Sequence, residues 1–169
     1  MRIFIGMKPD DCLDEILAIQ RHFRDLPLTG NYTLPDNIHM TLAFLGELDN
    51  SAVALVKTAL KQIDYPAFLM HIDKITNLRD MMILKIRRDP ELLRLQGGIC
   101  RALARLDIKM NRRSFYPHIT LIRKCDFPVD KPVDLTTEAR EVILFSSERV
   151  NGRLSYVPLY RKVLRRQNA

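Results

Sequence analysis

Apolar positions along the chain switch between two spacings, and the switches mark out the elements. Residues 2–7 alternate and are rich in Ile and Phe, which predicts a strand. From Asp10 the apolar positions move to helical spacing, at Leu13, Ile16, Leu17 and Ile19, and a helix is expected to about residue 27. A loop at 29–31 and a Pro-Asp-Asn turn at 34–37 lead into an apolar strand at 38–45, which ends at Gly46. Asp49, Asn50 and Ser51 can cap a second helix that runs to about residue 63. Strands at 68–75 and 81–86 flank a turn at 77–80. Asp89-Pro90 opens a third helix. Its Leu92, Leu95, Ile99, Leu103 and Leu106 share one face, and its Arg94, Arg101 and Arg105 share another. A strand at 118–123 and a hairpin of 141–147 with 153–159, turning at Asn151-Gly152, complete the pattern. Several antiparallel strands with two or three long helices make an α+β fold. No linker-like stretch interrupts residues 1–169, so a single domain is expected.

Composition narrows the class. With 47% hydrophobic and 28% charged residues, the chain can bury a globular core. Cys12, Cys100 and Cys125 are odd in number and far apart, which is neither a disulfide framework nor a zinc knuckle. A reducing, cytoplasmic setting follows as the expectation. The first apolar run is too short for a signal peptide and no segment reaches transmembrane length, so no membrane association is expected.

Net charge is +7, and its placement matters more than its size. Residues 85–124 hold eleven Lys/Arg against three Asp/Glu, whereas the rest holds sixteen against seventeen. A concentrated positive stretch suits a polyanion such as RNA. A solvated helix face with charged loops, including Arg112-Arg113, would look the same from sequence.

The chemistry-bearing pattern is a short repeat. Ile38-His39-Met40-Thr41-Leu42 and Pro117-His118-Ile119-Thr120-Leu121 place two histidines 79 residues apart, each at the start of a predicted strand. In a strand, residues two apart share a face. His39 therefore points with Thr41, and His118 with Thr120, while Met40, Leu42, Ile119 and Leu121 point to a core. Two such strands side by side would gather two imidazoles and two hydroxyls around one volume. In-line displacement at phosphorus needs a base at the attacking oxygen and an acid at the leaving oxygen, and histidine can serve as either near neutral pH. Threonine hydroxyls can donate to the non-bridging phosphate oxygens. The other two histidines, His22 and His71, fall outside any pattern and read as structural or surface residues. No close-spaced His/Asp set suggests a metal.

At these residues the chain resembles the 2H phosphoesterase superfamily, and more closely its RNA 2′,3′-cyclic phosphodiesterases, also called 2′-5′ RNA ligases. The resemblance covers nearly the whole chain. It rests on Arg2–Gly6, on the run from Leu34 to Gly46, on the run from Phe115 to Arg123, and on an ending that carries Ser146-Ser147, Gly152, Tyr156 and Leu159. It implies two pseudo-symmetric antiparallel lobes that flank a central cleft, with helices on the outer faces. It also implies hydrolysis of RNA 2′,3′-cyclic phosphate ends to 2′-phosphates without metal or cofactor. In that scheme His118 is the base on water and His39 the acid on O3′. Arg123 and Phe44, each five residues after its histidine, take the places of a phosphate- or base-contacting residue and a base-stacking one. A regular strand would turn both to the core side, so their roles require a twist or break, and Phe44 reads equally well as core.

Two departures stand out. Where many members carry Trp before the first motif, Tyr32 is the nearest aromatic, and Arg113-Ser114-Phe115 replaces an Arg-Pro before the second. A monomer with no obligate protein partner is expected. The rival readings are an RNA-end or nucleotide binding module of the same fold without turnover, and 2′-5′ ligation by the reverse reaction.

Overall fold

The computed structural model describes residues 1–110 and 114–167. All seven strands expected from the sequence are present, and two unexpected ones join them, at Asn31–Tyr32 beside the predicted loop and at Asp130–Ala139. They are β1 (Arg2–Met7), β2 (Asn31–Tyr32), β3 (Met40–Glu47), β4 (Phe68–Leu78), β5 (Met81–Ile86), β6 (His118–Arg123), β7 (Asp130–Ala139), β8 (Glu141–Val150) and β9 (Arg153–Val163). Three α-helices join them: α1 (Leu13–Arg24), α2 (Asn50–Lys61) and α3 (Pro90–Ala104). One antiparallel sheet runs in the order β7-β4-β5-β6-β3-β1-β8-β9, with β2 paired to β6.

That sheet is two lobes joined by a thread. Within β7-β4-β5-β6 and within β3-β1-β8-β9 the ladders are long, but β3 and β6 pair only at Met40 and Ile119. The α+β, two-lobed architecture is thus visible in the pairing itself.

The two faces of the sheet differ. Ile3, Ile5, Met7, Met40, Leu42, Ile72, Leu84, Ile119 and Leu121 belong to one large core together with Ile16 and Phe23 of α1, Val53, Val56 and Leu60 of α2, and Leu92, Leu95, Ile99 and Leu103 of α3. The other face buries less: a small cluster of Phe4, Ile143 and Phe145 with Tyr156 against it, and Ile83 and Met81 beside Thr120. The helices therefore cover one side and leave the other free to form a cleft. The arginine row of α3 is exposed on the helix-covered side, away from the histidine face, and Arg112 and Arg113 lie outside the described residues.

Sequence periodicity predicts no strand between residues 123 and 141, yet β7 fills residues 130–139. Its Val133, Leu135, Thr137 and Ala139 do alternate with more exposed residues, but Pro132 and a polar start mask the signal. Proline is tolerated because β7 is an edge strand, which needs donors on one side only. The β8–β9 turn is as expected: Asn151 and Gly152 both have positive φ, 52° and 77°, as a type I′ turn requires. Cys12, Cys100 and Cys125 are free thiols.

Candidate active site

The Met40–Ile119 bridge is the centre of the site. Antiparallel pairing there sets His39 alongside Thr120 and Thr41 alongside His118, all on the face opposite the large core. The two imidazoles are held alike. His39 Nδ1 lies 2.7 Å from the Asn37 carbonyl oxygen, and His118 Nδ1 lies 2.7 Å from that of Tyr116. A carbonyl only accepts, so each ring carries its proton on Nδ1 and presents a bare Nε2. Thr41 donates its hydroxyl to His39 Nε2 across 2.9 Å. The lobes differ here, since the Thr120 hydroxyl instead meets the Met81 sulfur at 3.9 Å.

Packing fixes the His39 ring further. Phe4 lies 5.1 Å and Tyr156 5.0 Å from it, centroid to centroid, and Phe145 stacks on Phe4 at 4.9 Å. Gly6 has no room for a side chain: a Cβ there would come within 2.7 Å of the Met40 carbonyl and 3.5 Å of His39 Cδ2. Asn37 ties this loop to β9, accepting from the Tyr156 amide at 3.3 Å and donating to the Leu154 carbonyl at 2.8 Å.

Electrostatics make the cleft hungry for an anion. Burial pushes the His39 pKa down to about 4; its hydrogen bond to Asn37 opposes this, and the positive charges of Arg123, His118 and Lys8 add to it. Burial also lowers His118, opposed by the Tyr116 carbonyl and assisted by Arg79 and Arg123. Arg123 therefore acts on both rings. Lys8 and Arg79 are site residues that sequence reasoning missed. Lys8 sits just past β1 with its Nζ on the Asp36 carbonyl at 3.1 Å, and Arg79 sits in the β4–β5 turn with φ 53°. Lys85, opposite His118 in the ladder, is another. None belongs to a local motif, so only strand pairing could reveal them.

Phe44 and Arg123 are on the histidine face, because each strand breaks its alternation. In β3, Gly6 faces Thr41 and Ile5 faces Ala43, which leaves Leu42 unpaired. In β6, Ile83 faces Thr120 and Met82 faces Ile122, which leaves Leu121 unpaired. Each extra residue is a β-bulge that reverses which side the following positions face. Phe44 is 48% exposed, with its ring 6.0 Å from Phe4, so the reading of it as a core residue is overturned. Arg123 is exposed, with a guanidinium nitrogen 3.5 Å from the Met81 sulfur.

Other sequence candidates fall elsewhere. Tyr32 packs against the large core beneath Arg24 rather than in the cleft. His71 pairs with Asp89 at 2.9 Å, and His22 is exposed on α1. Among the described residues no group of His, Cys, Asp or Glu is arranged to hold a metal, and no helix is long and apolar enough to cross a membrane.

Comparison with known proteins bears on this geometry. The family model of LigT-like phosphoesterases matches residues 5–81, which include the first His-x-Thr. The RNA 2′,3′-cyclic phosphodiesterase of Escherichia coli K12 is 31% identical over 144 residues, covering 82% of each chain. This chain belongs to the LigT-like phosphoesterases of the 2H group. A protein of the same name from Aquifex aeolicus VF5 is 25% identical over 133 residues, covering 73% of this chain and 70% of its own. Escherichia coli LigT, solved with 3′-AMP, superposes with a TM-score of 0.83 at 29% identity, covering 96% of this chain and 97% of that one. As a LigT-like phosphoesterase, the chain has the expected two-lobed fold.

Proposed function

We propose that this LigT-like phosphoesterase hydrolyses 2′,3′-cyclic phosphate at RNA ends to a 2′-phosphate, with two histidines as the acid and base and no metal in the step. The observation that carries the reading is the matched pair of imidazoles, each with Nδ1 tied 2.7 Å from a carbonyl and Nε2 turned to one cleft. The names of the relatives, RNA 2′,3′-cyclic phosphodiesterases, point to the same substrate class.

In this scheme His118 Nε2 takes a proton from water as its oxygen bonds to phosphorus. The P–O3′ bond breaks on the opposite side, and His39 Nε2 supplies the proton that O3′ gains. The ring opens to a 2′-phosphomonoester, and the two proton transfers leave the pair with its total charge unchanged. Arg123 and the Thr41 and Thr120 hydroxyls hold the non-bridging oxygens, where charge concentrates. Phe44 offers its face to the terminal base. Burial, with the charges of Arg123, His118 and Lys8 added to it, keeps the His39 ring neutral. A phosphate anion set between His39, Arg123 and Lys8 supplies the missing negative charge and lets this imidazole hold the proton it must deliver.

The test is incubation with a 2′,3′-cyclic-phosphate oligonucleotide in excess chelator, followed by identification of the product isomer. A 2′-phosphate is expected. Binding without turnover, or turnover only after a divalent metal is restored, would overturn the proposal.

A further inference from the structure

A second concavity, of about 370 Å³, opens beside Phe44, lined by Arg2, Phe44, Leu45, Gly46, Lys109 and Met110. Its size is at the small end of ligand sites, roughly 300–1,000 Å³. It lies at the outer end of β1 and β3, where Arg2 and Phe44 of the histidine face meet Leu45 and Met110 at the rim of the large core. Along β1, Gly6, Phe4 and Arg2 alternate with the core residues Ile3 and Ile5. The series therefore leads from His39 to Phe4, on to Phe44, and out to Arg2. Gly46, with φ 72°, would meet nothing within 4 Å if it carried a Cβ, so the floor of the hollow is open.

The lining is chemically one-sided. Arg2 and Lys109 are exposed cations, and among the described residues no acid contributes to the wall. The nearest carboxylate in sequence, Glu47, is engaged by the Met1 amino group at 3.1 Å. Phe44 presents an aromatic face and Met110 a soft apolar one. Two cations beside a stacking ring suit a phosphodiester followed by a base.

We infer that this hollow receives the 5′-phosphodiester of the reacting nucleotide and the nucleotide that precedes it, so that the enzyme selects RNA ends over free cyclic mononucleotides. The inference rests on the cyclic-phosphate reading and extends it to substrate length. A chain whose terminal base lies on Phe44 and whose cyclic phosphate lies at the histidines must leave by its 5′ side. The positively charged exit next to Phe44 is this hollow. The arginine row of α3 plays no part, since it lies on the opposite side of the sheet.

The experiment compares kcat/KM for 2′,3′-cyclic AMP with that for the dinucleotide ApA ending in a 2′,3′-cyclic phosphate. It uses the full chain, the double variant Arg2→Gln/Lys109→Ala, and the control Arg94→Gln/Arg101→Gln. In the unaltered protein at low salt the dinucleotide is expected to be favoured at least about tenfold, and the preference should shrink as salt rises. The Arg2/Lys109 variant should bring the ratio close to one, while the α3 variant keeps it. Equal kcat/KM for the two substrates in the unaltered protein, or a ratio untouched by the Arg2/Lys109 changes, overturns the subsite and leaves the cyclic-phosphate reading standing. Turnover of neither substrate overturns that reading and the subsite with it.

Discussion

Leu42 and Leu121 are the same position in two different strands: each is the unpaired residue of a bulge that directly follows a His-x-Thr triplet. The consequence is visible in burial. Leu42 and Ala43 are buried in succession, as are Leu121 and Ile122, and the next residue, Phe44 or Arg123, emerges on the histidine face. A phase break repeated at matching places in both lobes gives each histidine a companion five residues on.

That geometry decides what a Phe44→Ala variant should do. A buried phenylalanine cut to alanine costs about 3–5 kcal/mol, whereas an exposed surface change stays within about 0.5 kcal/mol. We expect the urea midpoint to stay nearly unchanged while kcat/KM for a cyclic-phosphate oligonucleotide drops roughly tenfold, the loss of one stacking contact. A large fall in stability would return Phe44 to the core.

Gly6→Ala tests the other side of the same ring. The added Cβ has to push against the Met40 carbonyl at the bridge between the lobes. Overpacking of this kind costs about 1–3 kcal/mol. The shift also displaces His39, so turnover should fall further than stability alone accounts for. Activity matching the unaltered protein at a temperature where the variant is fully folded would show that the β1–β3 spacing does not set the ring.

Stability should depend on pH in a direction that His39 dictates. Its folded pKa, about 4, lies below the ordinary 6.5, so between these values the unfolded chain holds a proton that the folded one lacks. Stability therefore rises as pH increases through that window and is lost as pH falls from about 6.5 towards 4. The amount is on the order of 3 kcal/mol for this group, and His118 adds to it with the same sign. Urea unfolding at pH 7 and pH 5 should show a smaller difference for His39→Gln than for the unaltered protein. Identical differences would mean that His39 titrates normally.

The pH–rate profiles should separate the two threonines. A two-histidine mechanism gives a bell in kcat/KM that reports the free protein, and a bell in kcat that reports the complex. Because bound phosphate adds negative charge beside both rings, the limbs of kcat should lie at higher pH than those of kcat/KM. Thr41 donates to neutral His39 Nε2 at 2.9 Å, so Thr41→Val removes a contact that favours the neutral ring and should move one limb of kcat/KM to higher pH. Thr120, whose hydroxyl meets a sulfur rather than His118, should lower the rate by roughly 10–10³-fold with both limbs in place. A flat profile between about pH 5 and 9 would remove acid–base histidines from the mechanism.

The sequence by itself determined what is local. Alternation over a few residues is enough to put His39 with Thr41 and His118 with Thr120, away from Met40 and Ile119, because side-chain direction in a strand depends only on neighbours two apart. Helical spacing marked the buried faces of α1, α2 and α3, and Asn151-Gly152 marked its turn, since positive φ is a property of the residues themselves. Tertiary structure decided everything that depends on which strands meet. The single Met40–Ile119 pair brings two motifs 79 residues apart into one cleft. The partner strands, not β3 or β6 alone, reveal where each bulge falls and hence that Phe44 and Arg123 face the histidines. Burial of His39 among Phe4, Phe145 and Tyr156, and the approach of Lys8 and Arg79 from separate turns, set the charge state of the rings. Those groups are neighbours only in space, and desolvation and Coulomb forces act through space rather than along the chain.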